Sequence, residues 1–181
     1  MTSSGGPEPK PVADVANPRR ARVITASTRA AAGTCEDRSG PVIVSGLTAL
    51  GLAVDGPVVV ADGAPVEDAL RAAVAEGVDL VITTGGTGLT PSDLTPEMTQ
   101  LVIDRPVPGI AEAIRSHGVS QGVPTAVLSR GTAGLAGKTL IINLPGSPGG
   151  ARDGIAVLAP LLTHTLDQIA GGDHDRPTAS D

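Results

Sequence analysis

The chain has 181 residues, a formal net charge of −6 and no Phe, Tyr or Trp. That length supports one domain with a proper core and short tails, and the missing aromatics argue against nucleic-acid binding by base stacking. Residues 19–171 carry 11 Lys and Arg against 14 Asp and Glu, a balance of −3, so there is no general basic surface for DNA or RNA. One cysteine, Cys35, excludes an intramolecular disulfide framework and fits a reducing cytosol. No apolar stretch reaches membrane-spanning length, and the polar, Pro-rich start does not read as a signal peptide. A cytoplasmic protein is expected, with neither membrane nor nucleic acid as partner.

Residues 1–18, with Pro7, Pro9, Pro11 and Pro18 among small polar residues, read as a disordered tail, as do 172–181. The domain is expected over 19–171. Arg22 to Ser27 reads as a buried strand. Ile43, Leu47 and Leu50 give a helical stripe stopped near Gly51, and Pro57 to Ala61 is a second strand. Val66, Ala69, Leu70 and Ala73 predict an amphipathic helix ended by Gly77. Val78 to Thr83 is the third strand. Pro96 to Asp104 and Gly109 to His117 are two helices broken by Pro106 and Pro108. Thr125 to Leu128 and Thr139 to Asn143 read as further strands, and Ser147 to Ala170 as a long helix kinked at Pro160. Strands separated by helices imply right-handed βαβ units and a mostly parallel sheet covered on both faces. Only a Gly-containing connection joins 125–128 to 139–143, so that pair is expected to be antiparallel.

Ligands of open α/β sheets bind beyond the carboxyl ends of the strands. The third strand leads into Gly85-Gly86-Thr87-Gly88, then Asp93 and a helix start at Thr95-Pro96-Glu97. Glycines there let the backbone approach a ligand and turn its N–H groups toward an anion. A plain turn needs one or two such residues rather than all of them. Asp62-Gly63 follows the second strand; on its own this is also an ordinary turn. Pro145-Gly146-Ser147-Pro148 resembles a capped helix start, which is either just that or a second anion site. Two anion-friendly loops with Asp62 and Asp93 on one edge suggest a polyphosphate substrate carrying a divalent cation. Arg130, in Ser129-Arg130-Gly131, is the preferred phosphate or carboxylate partner.

Other signals fail. Gly137-Lys138-Thr139 lacks the first Walker glycine, since Thr132 stands there, and a strand follows instead of a helix. Thr25 to Gly33 contains no dinucleotide fingerprint. His117, His164 and His174 have no Cys or His at zinc-ligand spacing. Cys35 has no identifiable base partner.

Thr84-Gly85-Gly86-Thr87-Gly88 followed by Asp93-Leu94-Thr95-Pro96-Glu97 resembles the signature of the Mog/MoaB molybdenum cofactor biosynthesis family, which also supplies the G domain of gephyrin. Asp37-Arg38-Ser39-Gly40-Pro41, Ser129-Arg130-Gly131 and Asn143-Leu144-Pro145-Gly146-Ser147-Pro148 resemble further family blocks in the same order. The resemblance implies a three-layer α/β/α fold with a mostly parallel, mixed sheet, a homotrimer, and molybdopterin adenylyltransferase activity. In that activity AMP moves from Mg-ATP to the terminal phosphate of molybdopterin and pyrophosphate is released. It implies that Asp62 and Asp93 are the functional carboxylates, here given to Mg²⁺. To the substrate-binding set of Gly85, Gly86, Thr87, Gly88, Ser129, Arg130, Gly146 and Ser147 it adds Ser27, Thr28, Asp37, Ser39, Gly131, Pro145 and Pro148. A molybdenum insertase is the partner it suggests. One position departs from the pattern: many adenylyltransferases of this family have Ser-Asp where this chain has Ser27-Thr28. Part of the MoaB-like branch that lacks the Asp binds pterin without adenylylating it. A non-catalytic molybdopterin-binding protein is therefore the alternative reading.

Overall fold

The computed structural model describes residues 18–171; the tail expectations for 1–17 and 172–181 lie outside them. Six strands form one sheet: β1 (Arg20–Ala26), β2 (Ala53–Val60), β3 (Leu80–Thr84), β4 (Arg105–Pro106), β5 (Ala133–Ala136) and β6 (Thr139–Leu144). Six helices accompany them: α1 (Thr28–Ala31), α2 (Gly40–Ala49), α3 (Ala64–Ala75), α4 (Thr95–Gln100), α5 (Pro108–Ser120) and α6 (Pro148–Ile169). The strand order is β2-β1-β3-β6-β5-β4, parallel from β2 to β6, with β5 and β4 added antiparallel at the far edge.

The strands read as apolar runs because both sheet faces are covered. Leu80 and Ile82 of β3, with Leu140, Ile142 and Leu144 of β6, pack on one face against Ile43 and Leu47 of α2, Ile110 and Ile114 of α5, and Leu158 and Leu162 of α6. The intervening Val81 and Ile141 turn to the other face and meet Val66, Leu70 and Ala73 of α3 and Met98 of α4. This period-2 alternation makes a three-layer α/β/α fold. Aliphatic side chains fill both interfaces.

Several expectations need correction. Thr125 to Leu128 is no strand: Pro124–Leu128 forms a 3-10 turn, with Val127 60 % and Leu128 50 % exposed. The antiparallel neighbour of β6 is β5, whose Ala-Gly-Leu-Ala composition carries little strand propensity and is held in the sheet by pairing. A β-carbon at Gly134 would stand 2.8 Å from the Arg105 carbonyl oxygen, so glycine is what allows β4 to approach. The helix expected over 96–104 ends at Gln100, and the chain after it descends into β4. The second strand starts at Ala53 instead of Pro57, with a register shift against β1 between Arg22 and Ile24. α6 runs through Pro160 as one 22-residue helix.

Candidate functional site

β1, β2, β3 and β6 are parallel, so the segments after them share one rim of the sheet. The segments after β3 and β6 touch there. Thr84 Oγ1 donates to the Pro145 carbonyl (2.8 Å), and the Gly85 N–H donates to the Leu144 carbonyl (3.3 Å). A β-carbon on Gly146 would stand 3.0 Å from Gly85 Cα, so the two loops meet backbone to backbone as a ridge. Gly85 and Gly86 have φ of 90° and 63°. On Gly85 a β-carbon would overlap the Ala26 carbonyl oxygen, and on Gly86 the Thr95 hydroxyl oxygen. Both positions require glycine.

A cavity of about 660 Å³ lies on one side of the ridge. Ser27, Thr28, Asp37, Ser39, Asp62, Gly85, Gly86, Asp93, Gly146 and Pro148 from the expected set all line it. A second cavity of about 490 Å³ is lined by Thr87, Gly88, Ser129, Pro145 and Ser147 with the apolar Leu89, Ile114, Val123 and Leu128. Arg130 and Gly131 line neither. Asp62 and Asp93 thus share one cavity, although the loops that carry them follow strands separated by β1.

Both carboxylates are held in the same manner. The Thr28 N–H (2.9 Å) and Thr28 Oγ1 (2.7 Å) donate to Asp62 Oδ2. The Thr90 N–H (2.8 Å) and Thr90 Oγ1 (2.6 Å) donate to Asp93 Oδ2. No described residue hydrogen-bonds Oδ1 of either. No three His, Cys, Asp or Glu side chains cluster as a metal cage among the described residues. Mg²⁺ does not need one, because it commonly takes one or two carboxylates together with substrate phosphates and water. Two carboxylates with one uncommitted oxygen each fit that ion.

Glu36 and Asp37 also line this cavity, and Asp37 is spent on structure. Its Oδ2 accepts from Thr25 Oγ1 (2.7 Å), and its Oδ1 from the N–H groups of Ser39 (3.1 Å) and Gly40 (2.9 Å). It therefore caps α2, a task that the buried Ser39 at the helix boundary does not perform with its side chain. Ser27 and Ser147 cap α1 and α6 by accepting from Ala30 N–H and Gly150 N–H, and Pro148 follows Ser147 as the first residue of α6.

Arg130 is not placed as expected. Its Nε donates to the Gly88 carbonyl (2.8 Å), Nη1 pairs with Glu97 Oε1 and Nη2 donates to the Asp93 carbonyl. Arg115 in turn donates to the carbonyls of Ser129 (3.3 Å) and Gly131 (3.0 Å) on either side of it. The guanidinium therefore clamps the loop that carries Asp93, and its hydrogen bond holds the Glu97 carboxyl below the usual carboxylate range against an opposing effect of burial. The cations that do line the carboxylate cavity are Arg29 and Arg38, neither in an ion pair among the described residues. Neither has a role in the sequence reading above, although Arg38 stands in one of the blocks that carry the family resemblance. Asn143 was also passed over as a site residue. Its buried amide donates to Thr83 Oγ1 and Thr99 Oγ1 (2.9 Å each) and accepts from the Thr132 N–H (3.1 Å), tying α4 and the approach to β5 onto the sheet.

Residues 22–164 match the family described as "Probable molybdopterin binding domain". The chain is 40 % identical over 156 residues to the molybdopterin adenylyltransferase of Helicobacter pylori, covering 82 % of this chain and 86 % of that protein. It is 44 % identical over 155 residues to the molybdenum cofactor biosynthesis bifunctional protein of Synechococcus elongatus, 85 % of this chain but 48 % of that protein, so it spans about half the length of that relative. Among solved structures, the molybdopterin biosynthesis Mog protein of Mycobacterium ulcerans superposes with a TM-score of 0.81 at 54 % identity, over 86 % of this chain and 99 % of that one. No helix among the described residues is long and apolar enough to cross a membrane.

Proposed function

Because the chain belongs to the molybdopterin-binding domain family, we propose that it is a molybdopterin adenylyltransferase working with Mg-ATP. One observation carries this reading: Asp62 and Asp93, each with an uncommitted oxygen, line a single cavity with Arg29, Arg38 and the glycine ridge. A cavity with this acidic pair repels a naked triphosphate, whereas a magnesium nucleotide is attracted to it. The backbone of Gly85 and Gly86 and the cations of Arg29 and Arg38 then hold phosphate oxygens. The second, less polar cavity accommodates one of the two ring systems, pterin or adenine, against Leu89, Ile114 and Leu128.

In the reaction, an oxygen of the molybdopterin terminal phosphate attacks the α-phosphorus of ATP. A new P–O bond forms, the bond from that phosphorus to the oxygen bridging to the β-phosphate breaks, and pyrophosphate leaves with the electron pair. Both reactants are anions, so the protein's work is to align them and offset their charge; no covalent enzyme intermediate is required. Magnesium, bound with the nucleotide, contributes charge neutralisation at the triphosphate and at departing pyrophosphate. Asp62 and Asp93 anchor that complex, Arg130 keeps the Asp93 loop in place, and the Gly146–Ser147 helix start faces the joined phosphates.

The homotrimer stands on the same footing. Val119 and Val127, 42 % and 60 % exposed and outside the second cavity, are apolar surface such an assembly would cover, and sedimentation decides it. The activity is tested by incubating the protein with ATP, Mg²⁺ and molybdopterin and weighing the pterin by mass spectrometry. Adenylylated molybdopterin with one pyrophosphate per transfer is expected. Pterin retained without a change in mass refutes the enzyme and leaves a carrier, the reading that Thr28 in place of an Asp would favour.

A further inference from the structure

We propose that Thr28 and Thr90 are positioning residues that aim Asp62 and Asp93 as a matched pair at one divalent cation; this rests on the magnesium-dependent reading above. Thr28 carries the argument, because it lies 34 residues from Asp62 and cannot belong to the same turn. It follows β1 as Asp62 follows β2, and the two strand ends are joined by the Ser27 N–H to the Val60 carbonyl (2.9 Å). The Asp62 N–H donates to Thr28 Oγ1 (3.2 Å), which leaves that hydroxyl's single proton for Asp62 Oδ2 (2.7 Å). The Thr28 N–H fills the second acceptor site of the same oxygen (2.9 Å). The ring closes on itself and fixes the carboxylate's rotation.

Oδ1 is the oxygen left over, and it lies 3.1 Å from where a β-carbon on Gly86 would stand, over the ridge. Thr90 repeats the arrangement on Asp93 with one N–H and one hydroxyl on Oδ2, across three residues. Asp62 and Asp93 are both partly exposed, and a carboxylate there without such ties samples several rotamers. Two ties per carboxylate remove that freedom in advance and leave one oxygen on each for the ion. Thr28 therefore acts through Asp62 and does not bind the cation itself.

The test uses the full chain with Thr28→Val and Thr90→Val, which keep the backbone donor and remove the hydroxyl, and with Thr28→Ser and Thr90→Ser, which retain it. Thr→Ala replaces Val if a Val variant does not fold. Mn²⁺ affinity is measured by electron paramagnetic resonance in the presence of a non-hydrolysable ATP analogue, beside the affinity for the analogue without metal. Each Val variant is expected to bind Mn²⁺ about tenfold or more weakly, the scale of losing an outer support of a metal ligand. Metal-free nucleotide affinity should hold, and each Ser variant should recover the Mn²⁺ affinity. Val variants matching the unaltered chain, Ser variants as weak as Val, or an unaltered chain without Mn²⁺ binding overturn the proposal. Adenylylation by the unaltered chain reports separately on the functional reading, so the two failures are distinguishable.

Discussion

Adding one methyl group to Gly86 tests the ridge at its most crowded point. Gly86 has φ of 63°, a left-handed conformation that costs an L-residue roughly 1–2 kcal/mol. Its β-carbon would overlap Thr95 Oγ1 and stand 3.1 Å from Asp62 Oδ1. Thr95 is fully buried and its hydroxyl has no hydrogen-bond partner, so it has no solvent-facing space to retreat into. Overpacking of this kind adds about 1–3 kcal/mol, for a total of about 2–5 kcal/mol. Gly77 is the control: φ is 70°, it follows the C-terminal end of α3, and nothing lies within 4 Å of its β-carbon position. Gly77→Ala should cost only the conformational part, about 1–2 kcal/mol. For a domain of this size these figures correspond to melting shifts of about 4–20 °C for Gly86→Ala and about 2–8 °C for Gly77→Ala. Displacement of Asp62 should also reduce turnover by about a hundredfold in Gly86→Ala alone. Thermal unfolding and pyrophosphate release on both variants give the answer. Equal melting temperatures with equal turnover would refute the steric reasoning and, with it, the claim that the ridge supports the Asp62 carboxylate.

Asp93→Asn retains an oxygen to accept both Thr90 bonds and turns a neutral amide toward the cavity. Its melting temperature should stay close to that of the unaltered chain while pyrophosphate release falls by about a hundredfold or more; near-normal release contradicts the assignment. Glu97 makes a separate prediction in pH. Because its folded pKa lies below the ordinary value of 4.5, the stability it contributes with Arg130 is fully present above that value and is lost as pH falls through the lowered one. Both partners are more than a third exposed, so solvent screens the effect. Melting curves of Glu97→Gln and the unaltered chain should converge as pH drops below about 4.5; a gap that stays constant down to the acid limit counts against the pair. Arg130→Lys keeps the charge, but one ammonium cannot reach Gly88, Asp93 and Glu97 together, and turnover should fall about tenfold. Full turnover in that variant would show that the Asp93 loop stands without its clamp.

β1, β3 and β6 were legible because continuous β-branched and leucine runs leave a sheet buried on both faces few alternatives. α2 and α3 were legible from their spacing. β4 is two residues long and β5 is mostly Ala and Gly; both exist through backbone pairing, which leaves no imprint in side-chain pattern. The reverse held at 125–128, where Val127 and Leu128 looked strand-like yet face outward because Pro124 opens a 3-10 turn with no sheet edge beside it. Within the site, glycines after strands, Asp62 and Asp93 could be picked out because their value depends on place in the chain. The arginines could not. Arg29, Arg38 and Arg130 carry the same charge, and only folding decides which guanidinium is spent on carbonyl oxygens. Asp37 lines the same cavity as Asp62, but its capping bonds to α2 become visible only with the structure.

The most direct measurement is the anomalous scattering of Mn²⁺ in crystals of the protein grown with a non-hydrolysable ATP analogue. A single peak within bonding distance of both the Asp62 and Asp93 carboxylates and of nucleotide phosphate oxygens is the predicted result. Manganese held by phosphates alone, or by residues away from this rim, would contradict the shared capture of the cation on which the reaction scheme rests.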